Sequence, residues 1–268
     1  MIILVTGCTS TEPDSKPTPE ASRPSATASQ TPEPGTVPPD WLFSRPLPVT
    51  DTGFGEVRPT PRELRVRRFN LPDSVPPLPG DGFASRVRPA PAKVLARSTW
   101  KPNCPVRADQ LDWIRITHRG FDGRRHSGEL LAHEEVSADL VAVFRTLWAA
   151  RFPIEEMRIT ESRELDLPPT GDGNNTAAFV CRPTADGSGY SEHARGLAID
   201  VNPFQNPYRR GEIVIPELAS AYFDRGRERP GMISDDGPVV AAFDAIGWEW
   251  GGRYQNLTDL HHFSRNGR

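Results

Sequence analysis

Two histidines and two aspartates in the C-terminal half have the types and spacing that hydrolytic chemistry requires. His193 and Asp200 lie in Ser191-Glu192-His193-Ala194-Arg195-Gly196-Leu197-Ala198-Ile199-Asp200, and His262 closes Asp259-Leu260-His261-His262. Two imidazoles and one carboxylate form a three-ligand set that leaves one coordination position of a metal open to water. Asp259, three residues before His262, is placed to take a proton from that water, whose pKa a bound ion lowers toward 7. The pattern reads as a zinc hydrolase.

Each residue also has a plainer reading. In one straight strand, residues seven apart point to opposite faces, so His193 and Asp200 can share an ion only if the backbone turns between them. Gly196 permits that turn through a positive φ. His193 is therefore expected on a loop and Asp200 on the strand Leu197 to Val201. Alternatively, Asp200 caps a turn with Asn202-Pro203. His261 competes with His262 for the ligand role, and spacing alone does not choose between them.

The elements that must position these groups are partly legible. A helix is expected from Ser137 to Phe152, with Ser137 as N-cap and Pro153 as terminator. Leu140, Phe144, Leu147, Trp148 and Arg151 would share its apolar face. Asp112 to Ile116 is a strand or short helix. Met157 to Ile159 and Ala177 to Val180 read as short strands, and Val239 to Ile246 as a second helix. Gly247 to Gly252 reads as a strand entering a turn. Short strands with few helices indicate an α+β fold. His118, His126 and His133 match neither metal motif and are expected to be exposed.

Composition divides the chain. Of 29 prolines, 18 precede residue 92. Met1 to Cys8 resembles the end of a lipoprotein signal peptide, with Val5-Thr6-Gly7-Cys8 as a lipobox and Cys8 as the lipidated residue; a plain leader is the alternative. Residues 9–40 are a Pro/Ser/Thr-rich spacer too poor in apolar groups to offset the entropy of ordering. Residues 41–93 keep the prolines but add Trp41, Phe43, Phe54 and Phe69. They form an extended arm that either wraps the catalytic domain or stays disordered. Residues 94–268 are the folded domain. Cys104 and Cys181 are an even pair and, in an exported protein, a candidate disulfide. A net charge of -3 offers nucleic acid no electrostatic attraction.

From about Ser98 onward the motifs resemble the VanY-type zinc D-alanyl-D-alanine carboxypeptidases. That family also includes the L-alanyl–D-glutamate endopeptidases of phage lysins. The resemblance rests on Ser191-x-His193-x-x-Gly196-x-Ala198-x-Asp200, on Asp259-x-x-His262-Phe263, and on stretches such as Asn202-Pro203, Asn206-Pro207-Tyr208 and Gly247-Trp248-Glu249-Trp250. It implies a Hedgehog/D-Ala-D-Ala-peptidase-like α+β domain in which His193, Asp200 and His262 bind zinc. Asp259 would be the catalytic acid-base and His261 a neighbour of the site. Arg182 matches the family's transition-state arginine and Ser191 a serine near the substrate; a surface arginine and a turn residue are their plainer readings. The expected partner is the peptidoglycan stem peptide, cut by a monomeric enzyme facing the cell wall. The membrane would be met only through a lipid on Cys8. The rival readings are a non-catalytic zinc-containing wall-binding module and a serine hydrolase using Ser191 with His193. The latter lacks a Gly-x-Ser-x-Gly elbow.

Overall fold

The computed structural model describes residues 1–4, 7–9, 33–184, 187 and 189–267. Most of the expected spacer, residues 10–32, and the lipobox positions 5 and 6 lie outside the described residues. Cys8 is exposed and its thiol is free. No helix among the described residues is long and apolar enough to cross a membrane. Met1–Thr31 and Pro32–Arg268 are separate units, and the strands and helices of the fold belong to the second.

The fold is α+β, with three α-helices and several small sheets among the described residues. Strands β1 (Ser85–Pro89), β2 (Leu111–Arg119) and β3 (Arg125–His133) form an antiparallel sheet in that order. β4 (Glu156–Met157) and β5 (Asn175–Thr176) pair in parallel. β6 (Ala198–Asp200), β9 (Glu249–Trp250) and β11 (His262–Ser264) make a sheet ordered β6-β11-β9. β7 (Tyr208–Arg210), β8 (Ile213–Ile215) and β10 (Thr258–Asp259) make one ordered β10-β7-β8. Helices are α1 (Ala92–Arg97), α2 (Ser137–Ala149) and α3 (Pro238–Asp244).

Strand β2 is covered on both faces, which is why its sequence does not alternate cleanly. Ile114 and Ile116 face α2, whose Leu140, Val143, Phe144 and Leu147 recur at helical spacing. Leu111 and Trp113 face a second cluster with Val94, Val106, Ile159 and Phe179. Each such side chain contributes about 1.5–3 kcal/mol by leaving water. The first cluster extends to the strand that carries His262, because Phe263 stacks on Phe243 of α3 with ring centroids 3.9 Å apart.

Helix α2 departs from expectation at both ends. Val136, not Ser137, is its N-cap, because a 3-10 turn over Glu134–Val136 runs straight into the helix. Ser137 instead donates its hydroxyl to the His133 carbonyl at 3.2 Å. Arg151 lies beyond the helix at φ 56 and is exposed, so it does not pack on the apolar face. The Ala177 to Val180 segment is not a strand. Its amides go to three different partners: Ala177 to Asp200, Phe179 to Leu131 and Val180 to His193.

The arm, residues 41–93, is part of the second unit. β1 pairs with β2 along its whole length. Leu47, Leu64 and Phe69 share a buried cluster with Phe204, Leu218 and Tyr222. Arg67 is fully buried; its Nε and Nη2 donate to both Glu155 oxygens at 2.7 and 2.5 Å, and Nη1 donates to the Asp172 carbonyl at 2.7 Å. Its amide donates to the Tyr222 hydroxyl at 2.8 Å. His118 is also buried, contrary to expectation, where the arm crosses the β2–β3 hairpin and Asp73 accepts from the Ser127 amide at 2.7 Å. Cys104 and Cys181 are joined by a disulfide at the edge of the second cluster.

Candidate metal centre

His193 sits in a 3-10 turn, Glu192–Arg195, opened by Ser191, whose hydroxyl accepts from the His193 amide at 3.3 Å. Gly196 ends the turn at φ 70, and a Cβ there would lie 2.6 Å from the His133 amide nitrogen. The position needs glycine on both counts. The chain then enters β6, which ends at Asp200. β6 and β11 are antiparallel with His262 directly opposite Asp200. Such pairs project to the same face, so one register decision brings two side chains together across 62 residues of sequence.

The three side chains converge. His193 Nε2 is 3.1 Å from Asp200 Oδ1 and 3.1 Å from His262 Nδ1, and His262 Nδ1 is 3.2 Å from Asp200 Oδ1. A tetrahedral ion with bonds near 2.0–2.1 Å spaces its ligand atoms about 3.3 Å apart, so the triangle suits one ion. The donor chemistry suits it as well. His193 Nδ1 lies 2.6 Å from the Ala178 carbonyl, which can only accept, so Nδ1 carries the proton and Nε2 presents its lone pair to the triangle. That lone pair faces a carboxylate. Burial works against ionisation of Asp200; with His193 and His261 protonated, their charges and the hydrogen bonds from His193 and His262 hold its carboxyl well below the usual carboxylate range, and a bound cation would take the place of the proton on Nε2. Among the described residues, this trio is the group of His, Cys, Asp and Glu side chains that could hold a metal ion.

Asp259 ends β10, beside the triangle. Its Oδ1 is buried without an aligned hydrogen bond among the described residues, although His261 Nε2 lies 3.1 Å away. His261 Nε2 is 3.7 Å from Asp200, and its Nδ1 is 2.7 Å from the Asn206 carbonyl. His261 thus stands between the acid and the triangle, nearer to the acid. Asn206 is itself buried; its amide donates to the Gly231 carbonyl at 2.9 Å and its Oδ1 accepts from the Ile233 amide at 2.7 Å. Nothing in the sequence marked Asn206 as the support of His261 except its place beside Pro207.

An open cleft of about 1610 Å³ runs over this centre. Arg182 and Ser191 line it together with His193, Asp200, His262 and Asp259. Arg182 is exposed, and its position is set by backbone bonds that join Arg182 to Val180 and Ser191. The arm reaches the same cleft through Phe43 and Phe54. The Phe43 amide donates to Asp172 Oδ2 at 2.8 Å and the Gly55 amide to Glu217 Oε1 at 3.0 Å. Tyr208 and Arg210 also line the cleft. They went unmarked as site residues because nothing local distinguishes them from any solvent-facing strand.

Residues 184–265 match a family model described as D-alanyl-D-alanine carboxypeptidase. That stretch contains Ser191, His193, Asp200, Asp259 and His262 and begins two residues after Arg182. It covers less than half of the chain. No curated protein and no solved structure gave a significant match.

Proposed function

With the peptidase match of residues 184–265 as premise, we propose that this protein is a zinc-dependent peptidase that hydrolyses peptidoglycan stem peptides. The observation that carries the proposal is the triangle of 3.1–3.2 Å between three ligand atoms, with the buried, unaligned Asp259 oxygen beside it. His193, Asp200 and His262 would hold the ion. Such an ion supplies a lowered water pKa and polarisation of the scissile carbonyl. Asp259 accepts the proton of the attacking water and returns it to the leaving amine. His261, anchored on Asn206, keeps the Asp259 carboxylate turned to this task. Arg182 projects a guanidinium into the cleft, where it meets the negative charge that develops on the carbonyl oxygen. Ser191 both caps the His193 turn and borders the bound peptide.

An extracytoplasmic site of action is supported by the Cys104–Cys181 disulfide, since such bonds persist in oxidising compartments. The exposed Cys8 thiol would carry the lipid anchor. The test is hydrolysis of defined stem peptides. The protein should cleave them, lose the activity to a chelator and regain it with zinc. Asp259→Ala should keep its zinc and lose activity by about 10²–10⁴-fold, the usual weight of a general acid-base. An unchanged rate would remove Asp259 from the mechanism, and binding of wall peptides without cleavage would leave a binding module.

A further inference from the structure

Strand β7 presents one face to the cleft. In the β10–β7 ladder Asp259 stands directly opposite Tyr208, and Thr258 opposite Arg209. Directly opposed residues share a face, and residues two apart on one strand share it too. Asp259, Tyr208 and Arg210 therefore form a row on one side of the ribbon, and all three line the cleft. Arg209 alternates to the other side, where its guanidinium lies 4.7 Å from the Phe223 ring centroid.

The row is electrically uneven. Apart from Arg182, the other arginines of the cleft are already paired: Arg158 with Glu156 and Glu164, Arg163 with Glu161, and Arg253 with Asp235 and Asp244. Among the described residues no carboxylate pairs with Arg210, which is exposed on the cleft wall. Its neighbour is the Tyr208 phenol. Burial pushes that phenol upward and the Asp259 charge adds to the rise, while Arg210 and Arg182 oppose it. The hydroxyl therefore remains a donor, and it stands among all three charged groups.

We propose that Arg210 and the Tyr208 hydroxyl bind the free α-carboxylate of the substrate's C-terminal residue, so that the site releases single residues from a chain end. This rests on the peptidase reading of the centre. The leaving amine and the carboxylate of one amino acid are bonded to the same Cα, with the nitrogen and carboxyl carbon about 2.5 Å apart. A residue whose amine takes its proton from Asp259 therefore holds its carboxylate within reach of the next groups along the row. Arg210 sits about 6.6 Å further along the strand than Tyr208, a distance its long side chain spans. A planar guanidinium and a phenol offer a carboxylate donors for both oxygens. A peptide that continues past this point, or ends in an amide, brings no charge to Arg210.

Two measurements test this. The first compares kcat/KM of the zinc-loaded protein on an acetylated D-alanine dipeptide and on its C-terminal amide. The free acid should be preferred by about 100-fold, in line with hydrogen bonds to a charged group. Arg210→Gln should raise KM for the acid by about 10–100-fold and collapse the acid-to-amide ratio toward one. Arg210→Lys should keep part of the ratio, and Tyr208→Phe should lose about 5–10-fold. Equal use of acid and amide by the wild type, or an unchanged ratio in Arg210→Gln, overturns the proposal. The second is calorimetric binding of the same acid and amide to the Asp259→Ala protein and to the Asp259→Ala, Arg210→Gln double variant. Absence of any hydrolysis by the wild type would defeat the peptidase reading alone. A missing preference for the acid in the calorimeter would defeat the carboxylate site alone.

Discussion

Among the described residues, two clusters join a pair of histidines with aspartate, and they are built on opposite principles. At the centre over β6 and β11, His193, Asp200 and His262 aim three ligand atoms at one point, all within 3.1–3.2 Å of one another. On the β2–β3 hairpin, His126 spreads its two nitrogens outward, Nδ1 to Asp73 at 2.8 Å and Nε2 to Asp122 at 3.1 Å. His118 stacks on it with centroids 5.7 Å apart and sends Nδ1 toward the Arg119 carbonyl at 3.3 Å. In the second cluster each His126 nitrogen has its own carboxylate, so protonation of one ring satisfies the group. In the first, His193 Nδ1 is already committed to Ala178 and its Nε2 lone pair is left facing an anion. A shared cation would answer that arrangement for all three groups at once. Residue types are nearly the same; the direction of the side-chain nitrogens separates a group that could hold a metal ion from an ion-paired clasp.

That contrast is sharpest under substitution. The largest effect expected is on metal content. His262→Ala should fall from about one equivalent of zinc to none, as loss of one of three protein ligands implies. His126→Ala and His261→Ala should retain it in elemental analysis. Zinc retained by His262→Ala and lost by His261→Ala would exchange their roles and erase the difference between the two clusters.

A smaller effect concerns pH. Burial pushes His118 down to about 4 from an ordinary 6.5. Between those values the unfolded chain binds a proton that the folded chain refuses, so stability falls as pH drops from 6.5 toward 4. The shift corresponds to about 3 kcal/mol. Denaturant unfolding of the wild type and His118→Phe at pH 7 and pH 4.5 should show the wild type losing more of its stability. Parallel losses would mean that His118 already takes up its proton in the fold.

The smallest effect belongs to the clasp itself. The hydrogen bond to Asp73 raises the pKa of His126, so the stabilisation is present below 6.5 and fades as pH rises through the folded value. Asp73, although burial opposes its ionisation, is held below its ordinary value chiefly by the His126 hydrogen bond, so its share is lost in acid. Asp73→Asn should therefore cost about 1 kcal/mol near pH 6 and less near pH 9. An equal cost at both would show a neutral hydrogen bond rather than an ion pair.

Legibility followed the range of the interactions. The turn at Gly196, the short strand through Asp200, the body of α2 and the helix near Val239 are local, and side-chain period, glycine and proline announce them. The same reasoning stopped at α2's first and last turns, because the Glu134–Val136 turn and the left-handed Arg151 depend on what lies before and after the helix. It stopped again at Ala177 to Val180, whose extended shape is shared among Asp200, Leu131 and His193 rather than one partner strand. His118 looked like a surface residue because the arm that covers it lies about 45 residues earlier in the chain, well outside any local pattern.

The chain's own order of residues was enough to set the α+β class, the pair of ligand motifs and the glycine turn inside the first of them. Each depends on neighbours within a few positions. Folding in three dimensions alone decided that His262 stands across from Asp200 while His261 turns to Asp259 and Asn206. It also decided that Arg67 closes on Glu155 and that Tyr208 and Arg210 share a face with Asp259. Those outcomes depend on strand register and on packing between distant segments. A shift of one residue in either ladder would turn the slipped strand's site residues to the other face.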